Sequence, residues 1–339
     1  MANFFEPILR FLGQIFFFMY NTIGFHNFGL TIIFFTLITK LALMPLTLKS
    51  QKSTQEMNAI QPEVKKIQEK YKNDKEKQNA EIQKLYKENN VSCMGGCLPM
   101  LLQFPILIAL YSVLRRPLTL VAGKATEAVI AIANSLPENL RGLLVFSGKA
   151  PETFTKINEL NELKVIDFLS NNPQYLNNTI TSADLINLKF LGLDLGKVPQ
   201  WQVWNIPKEE LGIYLPLLIL PIIAVIMTVI SQRLMQPPKK DVPKKSNKPE
   251  EKNTAAGMTN AMKYMIPGMT LYFSFILPAS MALYWICTYA FQIFQSLIMN
   301  NMKKKKEEEK ARQSGGAPAK TLKEGEKKNE KKKSEGGKK

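Results

Sequence analysis

Four stretches of this 339-residue chain contain no Asp, Glu, Lys or Arg: Phe11–Thr39, Asn89–Leu114, Leu211–Gln232 and Tyr264–Met302, of 29, 26, 22 and 39 residues. About 20 mainly apolar residues suffice for a helix to cross a hydrocarbon core of roughly 30 Å. The first three stretches are each long enough for one crossing. The fourth accommodates two, with Pro278 where the turn between them falls. A soluble core can hold one such segment, whereas four imply a multi-pass membrane protein. The formal net charge of +17 would by itself suggest nucleic-acid binding. Its distribution argues otherwise, because Lys and Arg gather between and after the apolar stretches.

The expected fold class is an all-α integral membrane protein of five transmembrane helices, at residues 28–48, 93–117, 211–235, 260–277 and 279–300. Residues 1–27 lie too close to the first span to cross and return, and Pro7, Arg10, Gln14 and Asn21 dilute their apolar character. They read as an external interfacial helix, with a sixth crossing as the alternative. A signal peptide needs a basic start and a small-residue cleavage site; here Glu6 precedes Arg10 and no such site follows. Residues 49–92, 233–263 and 301–339 hold 10, 8 and 15 Lys/Arg against 7, 3 and 7 acidic residues. Basic excess marks the cytoplasmic side, so the N-terminus and residues 118–210 are expected outside and the C-terminus inside.

Residues 49–92 read as a cytoplasmic helical hairpin. Met57, Ile60, Val64, Ile67 and Tyr71 form one helical stripe. Pro62 marks a kink or a helix start. A turn near Asn73 and Asp74 leads to a second helix carrying Ile82, Leu85 and Tyr86. The extracytoplasmic segment 118–210 is expected to be partly helical, over Ala122–Ser135 and Phe154–Leu169. Residues 236–259 read as a flexible cytoplasmic loop and 301–339 as a disordered basic tail. Cys93, Cys97 and Cys287 are odd in number and none lies in the external segment, so no disulfide framework is expected. Cys93 and Cys97 have neither the usual zinc spacing nor a His partner, and no metal is expected. Neither a phosphate-binding G-x4-G-K-[ST] loop nor an acidic residue within any span is present, so no cofactor and no enzymatic step are expected.

One charge lies inside a span. Lys40 precedes Lys49 by 9 residues, about 13 Å along a straight helix, and its stem covers only about half that distance. Burying it costs on the order of 2.5–3.5 kcal/mol, and such residues normally face a protein interior or a water-filled cavity. Thr36 stands one turn earlier on the same face. Gln103, Ser231, Gln232, Thr288, Gln292 and Gln295 are further candidates to line a hydrated cavity with Lys40, although each alone also fits an interhelical hydrogen bond.

These residues carry a resemblance. TLITKLALMPL (Thr36–Leu46), the basic hairpin with Gln61-Pro62-Glu63, CMGGCLPMLLQFPILIALYSVLR (Cys93–Arg115), LKFLGLDLG (Leu188–Gly196), ISQRLMQPP (Ile230–Pro238), MKYMIPGMTLYF (Met262–Phe273) and ALYWICTYAFQIFQ (Ala282–Gln295) resemble, in order, segments of the YidC/Oxa/Alb membrane insertase family. Any one motif is weak; together they cover nearly the whole chain up to the tail. The resemblance is to the Gram-positive-like members, which lack a large N-terminal periplasmic domain. It does not extend to the external insertion around Arg141–Asn178.

The resemblance implies five helices around a hydrophilic groove that opens to the cytoplasm and the lipid. A single positive residue in that groove, usually Arg in the family, falls on Lys40. Thr36 matches the family's hydroxyl, and Tyr284 and Trp285 match aromatics that contact substrate. The implied function is insertion and folding of integral membrane proteins. Nascent membrane proteins and the lipid bilayer are the implied partners. The ribosome, through phosphate attraction to the tail, and the Sec translocon are candidates. A transporter or channel subunit is the competing class; it would show internal repeats and ion-binding carboxylates at broken helices, and neither is found in the spans.

Overall fold

The computed structural model of the chain describes residues 2–89, 91, 107–108, 110–145, 150–235 and 254–313. The expected second span and Gln103 lie largely outside the described residues, as do most of the 236–259 loop and the end of the tail. The chain divides into two units, residues 1–291 and 292–339. Among the described residues the fold is all-α apart from one two-stranded antiparallel hairpin.

Helix α1 (Ala2–Asn21) leads through a tight turn into α2 (Phe28–Ala42). Asn27 caps α2, its side-chain oxygen accepting from the Leu30 N–H at 3.1 Å. Phe16 of α1 is fully buried, its ring 5.4 Å from Phe28 and 5.6 Å from Phe35. The expected straight helix over 28–48 is broken instead. Pro45 has no N–H for the Leu41 carbonyl and its ring crowds that oxygen, so α2 ends at Ala42 and α3 (Met44–Ala59) leaves at a bend of 67°. Pro62 starts α4 (Gln61–Lys70) rather than kinking a longer helix. Asp74 caps α5 (Lys75–Glu88), accepting from the Lys77 N–H at 3.0 Å. The buried Gln78 amide of α5 donates to the Gln68 carbonyl of α4 at 2.9 Å, closing the hairpin.

Past the segment 118–210 run α8 (Leu211–Leu217) and α9 (Ile219–Met235), separated at Leu218 because Pro216 and Pro221 each remove a ladder donor. Helix α10 (Thr254–Ser274) packs against α9. Helix α11 begins at Ala279 and continues to Gln313. The sequence places its end at residue 300 and reads the tail beyond as disordered. The helix persists because Lys303–Arg312 consists only of Lys, Glu, Ala and Arg, all strong helix formers. Among the described residues, Leu211–Leu234 and Ala279–Met302 are long and apolar enough to cross a membrane. The bent pair α2–α3 makes a third if it is one broken span.

The segment 118–210 contains α6 (Thr126–Ser135) and α7 (Glu162–Asn171), close to two of the expected helices. A π-helical turn at Pro117–Val121 precedes them. A carboxylate missed by the sequence reading holds this turn. Glu162 is 1% exposed; its two oxygens accept from the N–H groups of Leu118 and Thr119 at 2.8 and 3.0 Å and from the Thr119 hydroxyl at 2.7 Å. The Arg116 guanidinium stands 3.8 Å away. Burial pushes the Glu162 carboxyl above its usual range, against the pull of these partners. Removing the carboxylate would leave two buried N–H groups unpaired, at about 1–3 kcal/mol each. Within the insertion, Arg141 donates to the Leu136 and Asn134 carbonyls at 3.0 and 2.8 Å, fixing the loop after α6.

Strands β1 (Lys189–Phe190) and β2 (Leu193–Asp194) were not foreseen in the sequence, yet several helices start from them. Phe28 donates its N–H to the Asn187 carbonyl at 3.3 Å, and the Asn27 amide donates to the Lys189 carbonyl at 3.1 Å. The Tyr20 hydroxyl accepts from the Asn187 N–H at 3.0 Å. At the start of α11, Ala279 and Ser280 donate to the carbonyls of Lys197 and Leu195 at 2.8 and 3.0 Å. Helix α8 packs on β2. Thus α2, α8 and α11 all begin at one hairpin, with otherwise orphaned first-turn N–H groups of α2 and α11 donating to its carbonyls. The apolar core runs across this junction and joins Phe28, Ile32, Leu118, Leu163, Tyr284 and Trp285 in one cluster.

Gly29 makes the close approach possible, because a Cβ there would collide with the Phe190 ring. Gly29→Ala is therefore expected to destabilise the protein by about 1–3 kcal/mol through overpacking. Gly212→Ala, whose Cβ meets nothing, should be neutral or stabilising by up to about 1 kcal/mol. Thermal unfolding of the two variants in detergent checks the contrast.

Candidate functional site

Three apolar helices are polar on the inside. On α9, Ile219, Ile222, Ile226 and Ile230 are 41–57% exposed, while Ala224, Thr228 and Ser231 are buried. On α10, Met265, Met269 and Tyr272 face outward and Thr270 and Ser274 inward. On α2, Leu37, Ile38 and Leu41 are exposed while Thr31, Thr36 and Lys40 are buried. In water this arrangement would be unfavourable on both faces. In hydrocarbon the outward face costs nothing, and the polar groups must be inside to find partners.

Most buried hydroxyls find a partner on their own helix. Thr36 donates to the Ile32 carbonyl at 2.6 Å, Thr228 to Ala224 at 2.7 Å and Ser274 to Thr270 at 2.7 Å. Each bond makes a polar residue tolerable in an apolar helix without engaging a neighbouring one. Lys40 differs from these hydroxyls in bringing a charge. It is 7% exposed and lies in the last turn of α2, one turn before the break caused by Pro45. The break changes its setting from the straight-helix reading, because Lys40 now stands in the last turn of a helix rather than in the middle of one. The negative end of the helix dipole favours a cation there.

The other expected residues are placed as follows. Thr36 and Lys40 share a face of α2, at i and i+4. Tyr284 and Trp285, 2% and 8% exposed, belong to the same apolar cluster as Phe28, Ile32 and Phe35 of α2. Gln232 lies on α9, and its buried amide nitrogen has no hydrogen-bond partner among the described residues. The buried hydroxyls of Ser280 and Thr288 on α11 are in the same condition. Gln292 belongs to the second unit, and Gln103 lies outside the described residues. Sequence reading missed Thr228, Thr270, Ser274 and Ser280. The i, i+3, i+4 spacing of Thr228, Ser231 and Gln232, and the i, i+4 spacing of Thr270 and Ser274, within apolar helices was the available signal. Among the described residues no group of His, Cys, Asp and Glu is arranged to hold a metal.

An amide that is buried for structural reasons and left unpaired costs about 1–3 kcal/mol. Gln232→Met, of similar length, is therefore expected to leave thermal stability unchanged or to raise it by about 1 kcal/mol. A large loss of stability would mean that Gln232 holds the fold together.

The family model described as "60Kd inner membrane protein" matches residues 18–307. The chain is similar to a protein of Clostridium tetani named "Membrane protein insertase YidC", 50% identical over 113 residues, which are 33% of this chain and 49% of that protein. A Fusobacterium nucleatum protein of the same name is 48% identical over 110 residues, covering 32% of this chain and 54% of the relative. One from Clostridium perfringens is 54% identical over 87 residues, or 26% and 37%. The matched region thus spans about half, or less, of the length of these relatives.

Proposed function

The chain belongs to the 60Kd inner membrane protein family, and from that premise we propose that it inserts membrane proteins into a bacterial plasma membrane and helps them fold. The observation that carries the reading is the buried Lys40 on the polar inner face of a helix whose outer face is apolar. The names of the relatives support it. The proposed topology has five helices, with the N-terminus outside and the C-terminus in the cytoplasm. Their polar faces enclose a hydrated groove open to the cytoplasm and lined by Lys40, Thr36, Gln232, Tyr284 and Trp285.

In this mechanism the groove shortens the dry distance that the polar tail of a substrate must cross. Lys40 draws an acidic tail into the membrane. The hydrophobic effect then moves the substrate's apolar segment into lipid, and the tail is released outward. No bond is made or broken, so the proposed protein is not an enzyme. A lysine keeps the charge of the family's arginine but not its planar, bidentate geometry. The helices are broken at Leu43 and Leu218, a feature expected of a transporter, yet neither break carries an acidic residue that would bind a cation. The cytoplasmic hairpin α4–α5 would receive the substrate, and the basic tail would hold the ribosome by phosphate attraction. The Sec translocon is a further proposed partner.

Insertion of a single-span substrate with an acidic tail into proteoliposomes tests the role of Lys40. Reversing a charge in a partly desolvated site changes the interaction by several kcal/mol. Lys40→Glu is therefore expected to lower the inserted fraction at least tenfold, at about 1.4 kcal/mol per tenfold. Lys40→Arg should insert within about threefold of wild type, less than 1 kcal/mol by the same conversion. Equal insertion by Lys40→Glu would refute electrostatic capture. Deleting residues 314–339 is expected to weaken ribosome co-sedimentation and to flatten its salt dependence; unchanged binding would reject a role for that part of the tail.

A further inference from the structure

Leu191 occupies a costly position. It is the first central residue of the β1–β2 turn, with φ +50°, followed by Gly192 at φ +80°. Both angles positive is the type I′ turn, which favours Asn or Asp followed by Gly. A leucine gains nothing there from backbone chemistry, and here it gains nothing from packing either, because it is 84% exposed. Yet it is held rigidly in place. The hairpin is bonded to Asn27 and Phe28 on one side and to Ala279 and Ser280 on the other. The base of the hairpin therefore stands beside the first residues of the apolar helices α2 and α11, and Leu191 follows Lys189 by two residues.

Three other exposed aromatic residues flank the starts of apolar helices. Trp201 and Trp204, 57% and 70% exposed, meet edge to face at 5.6 Å and lie shortly before Leu211. Phe25, 76% exposed, sits in the α1–α2 turn, also at φ +50°. Lysines Lys189 and Lys208, both exposed, accompany them. Tryptophan combines an apolar body with an N–H donor and prefers the headgroup level of a bilayer. Lysine stems can lie along acyl chains while the ammonium reaches phosphate.

We propose that the hairpin tip at Leu191, together with Trp201 and Trp204, is a lipid-binding surface that seats the extracytoplasmic segment in the headgroup–acyl boundary of the outer leaflet. The sidedness rests on the topology proposed above. The bilayer is the occupant because each part of the patch adjoins the end of an apolar helix, and because tryptophan with flanking lysine matches an interface better than a protein groove. Seated in this way, the hairpin fixes the depth of the helix starts bound to it, and with them the depth of the polar inner faces.

The full chain is reconstituted in phosphatidylcholine–phosphatidylglycerol vesicles whose lipids are brominated either high on the acyl chains or near their ends. In Trp285→Phe, which retains Trp201 and Trp204, emission should be shielded from acrylamide and quenched severalfold more by the shallow bromines than by the deep ones. Leu191→Trp, in a chain also carrying Trp201→Phe, Trp204→Phe and Trp285→Phe, should behave alike. Emission that is open to acrylamide and untouched by both bromolipids, in either variant, overturns the proposal. An impermeant maleimide applied to intact cells expressing Lys208→Cys reports sidedness separately. Labelling without bromolipid quenching removes the anchor and leaves the topology standing. Quenching without labelling supports contact with lipid but overturns the outer-leaflet assignment and the topology with it.

Discussion

Hydrocarbon offers no hydrogen bonds and does not exclude isoleucine, and most of the architecture follows from that constraint. Every backbone group in an apolar segment must be satisfied within the segment, which makes the segments helices. Apolar side chains then also cover the outside, and some polar ones are buried among the apolar core. Ile222 and Ile226 point outward while Thr228 and Ser231 point inward. The hydroxyls of Thr36, Thr228 and Ser274 bond back to their own helices, so a polar interior is built without a large desolvation penalty. Against that background a buried lysine is the exceptional residue. The Pro45 break ends α2 within a turn of it, where the helix dipole favours a cation.

Such helices need a device to set their relative heights, since apolar surfaces slide past one another at little cost. The β1–β2 hairpin supplies it. Its flanking carbonyls accept N–H groups from the first turns of α2 and α11, and β2 packs on α8. Gly29 brings α2 close enough for the contact. On the same side, Glu162 ties α7 to the π-helical turn and so joins the segment 118–210 to the helix starts through one apolar core.

What was legible in the sequence was whatever depends on local composition. Three of the charge-free stretches foretold apolar helices among the described residues, Asp74 and Pro62 foretold the starts of α5 and α4, and Lys40 stood out because a single ion in an apolar run is visible without any structure. The site was legible in part. Thr36, Tyr284 and Trp285 are buried as expected, whereas Thr228, Thr270 and Ser274 were overlooked because each is unremarked as a lone hydroxyl. Only the face it occupies gives it meaning. The two-residue strands at Lys189–Phe190 and Leu193–Asp194 are too short for any periodicity. Glu162 in sequence is an ordinary first-turn acid, and its partners lie 43 and 44 residues away.

The sequence by itself determined that the chain is a helical membrane protein with one charge inside its apolar stretches, because segregation of charge over windows of about twenty residues is a property of the chain and not of its packing. It also carried the proline that breaks the first apolar helix, although not the direction of the bend. Tertiary structure alone decided where the helices begin relative to one another, which hydroxyls face inward, and that Leu191 is displayed rather than packed. Those outcomes depend on contacts between residues far apart in the chain, such as Gly29 with Phe190 and Ala279 with Lys197, and no local pattern encodes such a meeting.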